Sequence, residues 1–314
     1  MTKKKLTKKF KNRFIKKGFS LVEISIVLLI VGILISGITT YSRLVKQMKL
    51  SAVKHITAAS PVPAIKGLAL WLETTMDGSI TGAVNPLSPD DNEKIVSWND
   101  INPQSQSRII VSQNTDSLRP IYTTLGTIND LPAVKFNGGQ FLQSLKSTTG
   151  NVPLNQGDDS FTMIAVWQSN VNSSVNQAIL DQNSTSTSQP AGNRAGMLLT
   201  IGGTYGFCGE AVDYLNCQQY QAKTPYISVI TVANNGDVKI YTNSVTAQCS
   251  SSISSTALNI SDQGFFVGVK GTNNATEFMN GLIQEAIIYD RVISDEEVRD
   301  IVRYLAKKFN IKII

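Results

Sequence analysis

The hydrophobic and polar positions set the first 60 or so residues apart from the rest of the chain. Residues 1–18 are basic and polar, whereas residues 19–38 carry no charge except Glu23. This apolar stretch has about the 20 residues that a helix needs to cross a bilayer core. Apolar residues continue at helical spacing as far as two prolines within residues 60–63, which end the periodicity. The pattern predicts a transmembrane helix over residues 19–59 and a proline-containing linker over 60–66.

From residue 67 onward, short apolar runs alternate with connections rich in Ser, Thr, Asn and Gly. The clearest local signal is a hairpin, in which two β-branched runs flank a turn sequence at residues 234–237. We predict strands over residues 68–72, 95–98, 133–136, 161–167, 197–201, 227–232, 238–241, 265–269 and 282–289. The fold class is therefore an N-terminal transmembrane α-helix followed by an all-β antiparallel jelly-roll sandwich.

The chain closes with a predicted amphipathic helix over residues 295–309. Ser294 and Glu297 have the spacing of a capping box, which satisfies backbone donors at a helix start. Apolar residues then follow at helical spacing: Val298, Ile301, Val302, Leu305 and Phe309. The expected organisation is a basic leader over residues 1–18, the helix over 19–59, the linker over 60–66 and a head over 67–314.

The charge distribution excludes nucleic acid as an expected partner. The formal net charge is +6, but nine basic residues and no acid lie in residues 1–18. Without them, 29 − 9 = 20 basic residues face 23 acidic ones, which leaves no basic surface for phosphates. Basic residues before an apolar helix keep that side in the cytoplasm. We therefore expect a single-pass protein of the inner membrane with its head outside the cytoplasm. An ordinary signal peptide is the alternative, although cleavage after the apolar stretch is poorly signalled.

Three cysteines lie in the head, which suits an oxidising compartment. Cys208 and Cys217 form the simplest loop, so we predict a disulfide between them and a thiol at Cys249. Three unpaired cysteines are the alternative. The single histidine, His55, argues against a His-rich metal site or a His-dependent triad in the head.

Other residues of the head have a structural and a functional interpretation. Three tryptophans could stack on a sugar, although their apolar surroundings favour the core: Trp71, Trp98 and Trp167. Four oxygen-bearing residues could bind calcium, although a solvated turn is favoured: Asp77, Asn99, Asp100 and Asn102. No other cofactor is expected. No strand carries alternating carboxylates, since Glu285 stands alone and Asp158 and Asp159 are adjacent. The sequence therefore predicts that the chain is not an enzyme, with a membrane-tethered glycan-active enzyme as the alternative.

The segment KKGFSLVEISIVLLIVGIL resembles the N-terminal signature of type IV pilins and of the pseudopilins of type II secretion. The resemblance implies that a prepilin peptidase cleaves between Gly18 and Phe19 and that the amine of Phe19 becomes methylated. It also implies that Glu23 pairs with the N-terminal amine of a neighbouring pilin or pseudopilin subunit, which relieves a buried carboxylate.

The head resembles bacterial laminin-G-like, concanavalin A-type jelly rolls, in stretches such as GLALWLETTMDGSI and LIQEAIIYDRVISDEEVRDIVRYLAKKFNI. The resemblance implies two stacked antiparallel sheets and does not fix an activity. We expect a minor pilin or pseudopilin whose head binds a glycan or a surface protein in adhesion. A pseudopilin with a purely structural head is a further alternative.

Overall fold

The computed structural model describes residues 20–149, 151–157, 160–172, 175–184, 193–209, 214–253, 258–271 and 277–314. The chain divides into two compact units, Met1–Ser51 and Ala52–Ile314. The first contains most of helix α1, Leu21–Ala58. The second contains the last turns of α1 and the whole head, whereas we expected the head to begin at residue 67.

The described part of the head contains two antiparallel sheets. Sheet I has eight strands: β1 (Leu68–Glu73), β5 (Ile121–Thr123), β6 (Ala133–Asn137), β8 (Phe161–Ser169), β13 (Pro225–Val232), β14 (Asp237–Thr242), β15 (Cys249–Ser252) and β17 (Asn280–Tyr289). Sheet II has nine strands: β2 (Ile80–Gly82), β3 (Ile95–Asn99), β4 (Ile110–Ser112), β7 (Leu142–Leu145), β9 (Gln177–Asn183), β10 (Ala195–Leu199), β11 (Thr204–Cys208), β12 (Tyr214–Gln219) and β16 (Gly264–Val267).

The strand order shows that both sheets combine pairs of consecutive strands with pairs of strands that are distant in sequence. Sheet I runs β15-β14-β13-β8-β17-β6-β5, with β1 paired to β17 outside this path. Sheet II runs β12-β11-β10-β9-β16-β7-β4-β3-β2. The antiparallel sandwich predicted from the alternating sequence is thus confirmed. Short helices complete the described head: α2 (Lys146–Thr149), α3 (Asp295–Phe309) and 3₁₀ turns at Val62–Ala64, Asp116–Leu118 and Ile128–Asp130.

Two apolar cores hold the head together. The larger one lies between the sheets and includes Trp98 and Trp167, both fully buried. The second covers the other face of sheet I, where residues of α3 pack with Val53 from the end of α1. Helix α3 has the predicted bounds, and Ser294 and Glu297 form the complete capping box. Burial of its apolar stripe is what fixes this helix on the sheet.

The predicted strands all appear, with boundaries that shift by a few residues. The hairpin is formed by β13 and β14, and Gly236 in its turn has φ +84°, a conformation that favours glycine. The strand predicted over 197–201 ends at Leu199 instead. Eight strands were not predicted, most of them short: β2, β4, β5, β7, β9, β11, β12 and β15.

The predicted disulfide between Cys208 and Cys217 is wrong. Cys217 bonds to Cys249, and their Cα atoms lie 6.3 Å apart. The bond joins β12 and β15, which are the edge strands of sheet II and sheet I. Cys217 packs with the core between the sheets, whereas Cys208 lies in a separate cluster with Ala178 and Leu198. The two cysteines of the β11–β12 hairpin therefore belong to different sides of sheet II, which prevents a bond between them.

Candidate functional site

The N-terminal unit offers an apolar surface. Every Leu, Ile and Val from residue 21 to residue 35 is exposed. A continuous apolar surface of this kind marks a contact with lipid or with another protein. Among the residues that the structure describes, no helix combines the length and the apolar character needed to span a membrane.

Glu23 caps the start of α1. Its carboxylate accepts a hydrogen bond from the backbone N–H of Ser20 at 2.8 Å, and Ser20 Oγ accepts one from Val22 N at 3.3 Å. Ser20 and Glu23 thus use the same Ser-x-x-Glu spacing as Ser294 and Glu297. A carboxylate is stabilised near a helix N-terminus, where unpaired N–H groups point outward. Sequence reasoning assigned Glu23 to assembly and missed this local role, although the spacing could have revealed it. Gly18 and Phe19 lie outside the described residues.

The head contains a cleft of about 440 Å³ at one end of the sandwich. Described residues that follow β6, β8 and β10, or that come just before β9 and β17, surround it. The described residues that line it are Gly138, Val171, Val175, Asn176, Gln177, Ile201, Glu277, Phe278 and Asn280. Its volume lies in the range of small-ligand sites, about 300–1,000 Å³.

Amide side chains form the polar part of the cleft. Gln177 Oε1 accepts a hydrogen bond from Asn280 N at 2.7 Å, and Asn176 Oδ1 accepts one from Ile201 N at 3.1 Å. Asn280 Oδ1 accepts a further one from Asn170 Nδ2 at 3.1 Å. These hydrogen bonds connect the turns to one another, so the side chains that line the cleft also stabilise its shape.

Among the described residues, one buried donor beside the cleft has no acceptor. Gln177 is only 1% exposed, and within the described residues its Nε2 has no hydrogen-bond partner. A buried amide donor without a partner costs about 1–3 kcal/mol. Sequence reasoning did not single out Gln177, because a glutamine at the start of a strand carries no signal of its own.

Glu277 connects the cleft to a buried ion cluster on the outer face of sheet II. Its Oε2 lies 3.2 Å from Arg194 Nη2, and Arg194 Nε lies 2.5 Å from Asp181 Oδ1. Arg194 Nη1 also contacts Cys208 Sγ at 3.4 Å. Burial alone would lower the pKa of Arg194, but Asp181, Cys208 and Glu277 raise it well above its usual value. The guanidinium therefore stays charged.

A second buried ion cluster lies between sheet I and α3. Lys308 Nζ contacts Glu73 and lies 2.8 Å from Glu285 Oε2. Glu285 Oε1 also accepts hydrogen bonds from Trp71 Nε1 at 2.8 Å and from Tyr304 OH at 2.9 Å. Burial raises the pKa of Glu285, the charge of Lys308 opposes this shift, and Glu73 adds to it.

Glu73 and Glu285 form a carboxylate pair that the search along single strands missed. They face each other across β1 and β17, so they come from strands more than 200 residues apart. Glu73 is 0% and Glu285 1% exposed, so substrate does not reach them in this structure. Their arrangement fixes α3 to sheet I.

The other predicted residues lie apart from the cleft. Trp71, Trp98 and Trp167 are buried, as the core interpretation predicted. Asp100 Oδ1 accepts from the N–H groups of Trp71 and Asn102, while Asp77 contacts Lys54 at 2.6 Å. Asn99 donates to Gly78 O at 2.8 Å. The solvated turn favoured for these residues is wrong for Asp100 and Asn102, because each is only 1% exposed and their side chains bond to the backbone inside the fold. No group of three His, Cys, Asp or Glu side chains suited to a metal is found among the described residues. Calcium at these positions stays a prediction.

Comparison with known proteins identifies the N-terminal segment. Residues 13–39 match the family described as the prokaryotic N-terminal methylation motif. The chain therefore has a type IV pilin-like N-terminus, as the sequence predicted. No curated protein sequence matches the chain significantly.

Solved structures resemble the head. A GH54 α-L-arabinofuranosidase matches with a TM-score of 0.56 and 11% identity, over 77% of this chain and 63% of that chain. The Trypanosoma rangeli sialidase with 2,3-difluorosialic acid matches with a TM-score of 0.51 and 12% identity, over 77% of this chain and 33% of that chain. The same sialidase with sialic acid gives 0.50 at 13% identity, over the same shares. This chain thus spans about a third of the sialidase chains, and the likeness shows the fold.

The prediction that the chain is not an enzyme is wrong on this comparison. The solved structures that share the fold of the head include a sialidase and an arabinofuranosidase. The prediction depended on carboxylates alternating along one strand. That criterion was too narrow, because a sandwich can bring carboxylates together from different strands, as Glu73 and Glu285 show.

Proposed function

We propose that this chain is a prepilin-type subunit of a type IV pilus or a type II secretion pseudopilus, and that its head engages glycans. The observation that carries the proposal is the methylation motif at residues 13–39. The exposed apolar residues within this motif, between residues 21 and 35, fit a helix that lies first in the inner membrane and then among neighbouring subunits.

Processing and assembly follow from this proposal. The prepilin peptidase cleaves between Gly18 and Phe19, and Phe19 is methylated at its new amine. Glu23 then exchanges its bond to Ser20 N for the amine of a neighbouring subunit, because an ion pair in an apolar setting relieves the buried carboxylate better than one amide does. The head is carried outside the cytoplasm in both the membrane and the filament.

Intact mass of the mature protein tests the processing step. We expect the mass of a chain that begins at methylated Phe19, and we expect Gly18→Val to retain the leader because a side chain crowds the cleavage site. Glu23→Ala should insert normally yet be depleted from sheared filaments, with Glu296→Ala in the head as the control. A mature chain that begins beyond residue 38 would contradict the proposal.

The role of the head has two candidate forms. Adhesion through a laminin-G-like, lectin-type surface is supported by the sandwich and its cleft. A membrane-tethered glycan-active enzyme is supported by the sialidase and the arabinofuranosidase that share the fold. Incubation of the protein with polysaccharides separates the two, since release of sugar that a single Asp or Glu substitution abolishes establishes the enzyme. Within the adhesion proposal, a surface protein is the alternative ligand.

A further inference from the structure

The buried ion cluster between sheet I and α3 places an amine against a carboxyl group in the absence of water. Lys308 Nζ contacts Glu73 and lies 2.8 Å from Glu285 Oε2, and all three side chains are at most 1% exposed. The rings of Tyr304 and Phe309 lie beside the amine, with centroids 5.7 Å and 5.2 Å from Nζ. Charges buried in this way are costly, so a reaction that removes two of them is favoured by the surroundings.

The carboxyl group of Glu73 is polarised toward attack by a nucleophile. Its Oε2 accepts hydrogen bonds from the backbone N–H groups of Thr75 and Met76, both at 2.7 Å. Two N–H donors on one oxygen stabilise the negative charge that develops there when a nucleophile adds to the carboxyl carbon. The other oxygen, Oε1, contacts Lys308 Nζ and accepts a hydrogen bond from Thr75 Oγ1. Oε1 is therefore the oxygen that would leave.

Glu285 has the position of a general base for the amine. Its Oε2 lies 2.8 Å from Lys308 Nζ, which is within reach for proton transfer. Its Oε1 is held by Trp71 Nε1 at 2.8 Å and by Tyr304 OH at 2.9 Å, so the carboxylate has a fixed orientation. Burial raises the pKa of Glu285, so this carboxylate accepts a proton more readily than an exposed one does. An amine with an adjacent base is an activated nucleophile.

Other ion pairs of the same chain lack one part of this arrangement. On sheet II, Arg194 also contacts two carboxylates, but a guanidinium does not lose its proton. Several lysines of the described chain contact carboxylates while their own side chains remain 30–54% exposed, so water competes for both partners: Lys54, Lys94, Lys146 and Lys239. Contact is therefore not sufficient, and the cluster under α3 adds burial, a base and two N–H donors.

We propose that the folded head forms an isopeptide bond between Lys308 Nζ and Glu73 Cδ. Glu285 takes one proton from the ammonium group, and the free amine adds to Cδ while Oε2 carries the negative charge. Glu285 returns its proton to Oε1, which leaves as water with a second proton from the nitrogen. One ammonium and one carboxylate thus become one amide and one water, with no oxidant, reductant or cofactor. The third proton stays on the amide nitrogen.

The bond would join the two ends of the head. Glu73 is the last residue of β1, the first strand of the head, and Lys308 belongs to α3, its last helix. The linked residues are 235 positions apart in the sequence, so the crosslink closes a loop around nearly the whole sandwich. The inference does not depend on the proposed pilus or glycan function, because every reacting group belongs to this chain.

Intact mass of the full-length protein, reduced and denatured, tests the bond without any variant. We expect the mass of the processed sequence less one water molecule. Trypsin should then release a branched peptide in which residues 67–94 are joined to residues 308–312 through Lys308. Lys54 and Asp77, in contact at 2.6 Å but exposed, are the internal control and should be unlinked in the same digest.

Three variants assign the roles of the side chains. Lys308→Arg keeps a cation but cannot condense, and Glu285→Gln keeps the shape but removes the base, so both should retain the full sequence mass. Lys307→Arg is the matched control and should lose water as the wild type does. Tryptophan fluorescence of each variant reports the folded state.

The wild-type protein decides the proposal even where a variant does not fold. The full sequence mass together with unbranched peptides, after prolonged incubation of the folded protein, would overturn it. A water loss that persists in Lys308→Arg would place the condensation elsewhere, and one that persists in Glu285→Gln would refute the proton transfer. A branched peptide at Lys54 would contradict the argument from burial.

Discussion

The outer faces of the two sheets bury similar charges with different consequences. On sheet I, Lys308 lies between Glu73 and Glu285 under α3, and all three are at most 1% exposed. On sheet II, Arg194 lies between Asp181 and Glu277, but Glu277 remains 18% exposed and reaches the cleft. On sheet I, the cation between two carboxylates joins α3 to the sheet. On sheet II, one of the two carboxylates that contact the cation also lines the cleft.

Removing the cation of sheet I should have the largest effect on stability. Lys308→Met leaves Glu73 and Glu285 buried without a counter-ion, which should lower the free energy of unfolding by about 3–5 kcal/mol. Lys307→Met is the control, because Lys307 is next to Lys308 in the sequence and is exposed. Denaturant unfolding of the full-length protein measures both. Equal stability of the two variants would contradict the interpretation that the cluster fixes α3 to sheet I.

The stability of the Lys308→Met and Lys307→Met variants should depend differently on pH. A carboxyl with a raised pKa in the folded state binds its proton more tightly there, so its contribution to stability falls as pH rises above the usual value of 4.5 through the raised pKa. Lys308 opposes the raised pKa of Glu285, so its loss raises that pKa further. The destabilisation by Lys308→Met should therefore shrink as pH falls toward 4.5, and a constant difference would argue against coupling.

The disulfide joins the edges of both sheets, so its loss should affect the whole head. Replacing Cys217 and Cys249 together by Ser opens a crosslink across a sequence separation of 32 residues, which the chain-entropy estimate values at about 3–4 kcal/mol. Denaturant unfolding measures the loss, and Cys208→Ser is the control that leaves the crosslink intact. Peptide mapping without reductant should recover Cys217 linked to Cys249. A Cys208–Cys217 peptide would contradict the structure.

Loss of the cation of sheet II should cost less than loss of the cation of sheet I. Arg194→Met removes the ion pair of Asp181, which keeps a hydrogen bond from Gly271 N at 2.8 Å, while Glu277 is partly solvated. We expect the free energy of unfolding to fall by about 3 kcal/mol, which is the lower end of the range for a broken buried ion pair. Thermal unfolding should measure this loss, with the exposed Arg303→Met as control. Equal stability of the two variants would contradict a stabilising role for the cluster.

Local patterns were predicted from the sequence, and long-range contacts were not. Helix α3 and the β13–β14 hairpin follow from short-range signals, namely a capping box and a turn between β-branched runs. The contact between Glu73 and Lys308 spans 235 residues, and Gln177 meets Asn280 across 103. Such contacts depend on strand order, which periodicity does not encode. The disulfide prediction was wrong for the same reason, because β12 and β15 come together only in the folded sandwich.

The smallest expected effect concerns the two Ser-x-x-Glu caps. Ser294 Oγ accepts from Glu297 N at 3.2 Å in the head, whereas Ser20 and Glu23 cap α1 in the other unit. Ser294→Ala should lower the stability of the head by about 1 kcal/mol, because it exposes an unpaired N–H at the start of a helix that carries part of the second core. Ser20→Ala should leave the unfolding transition of the head unchanged and reduce only the helicity of α1. Circular dichroism at 222 nm resolves the helix signal, and tryptophan fluorescence follows the head through Trp98 and Trp167. If both substitutions shift the fluorescence transition equally, the two caps do not act on separate units.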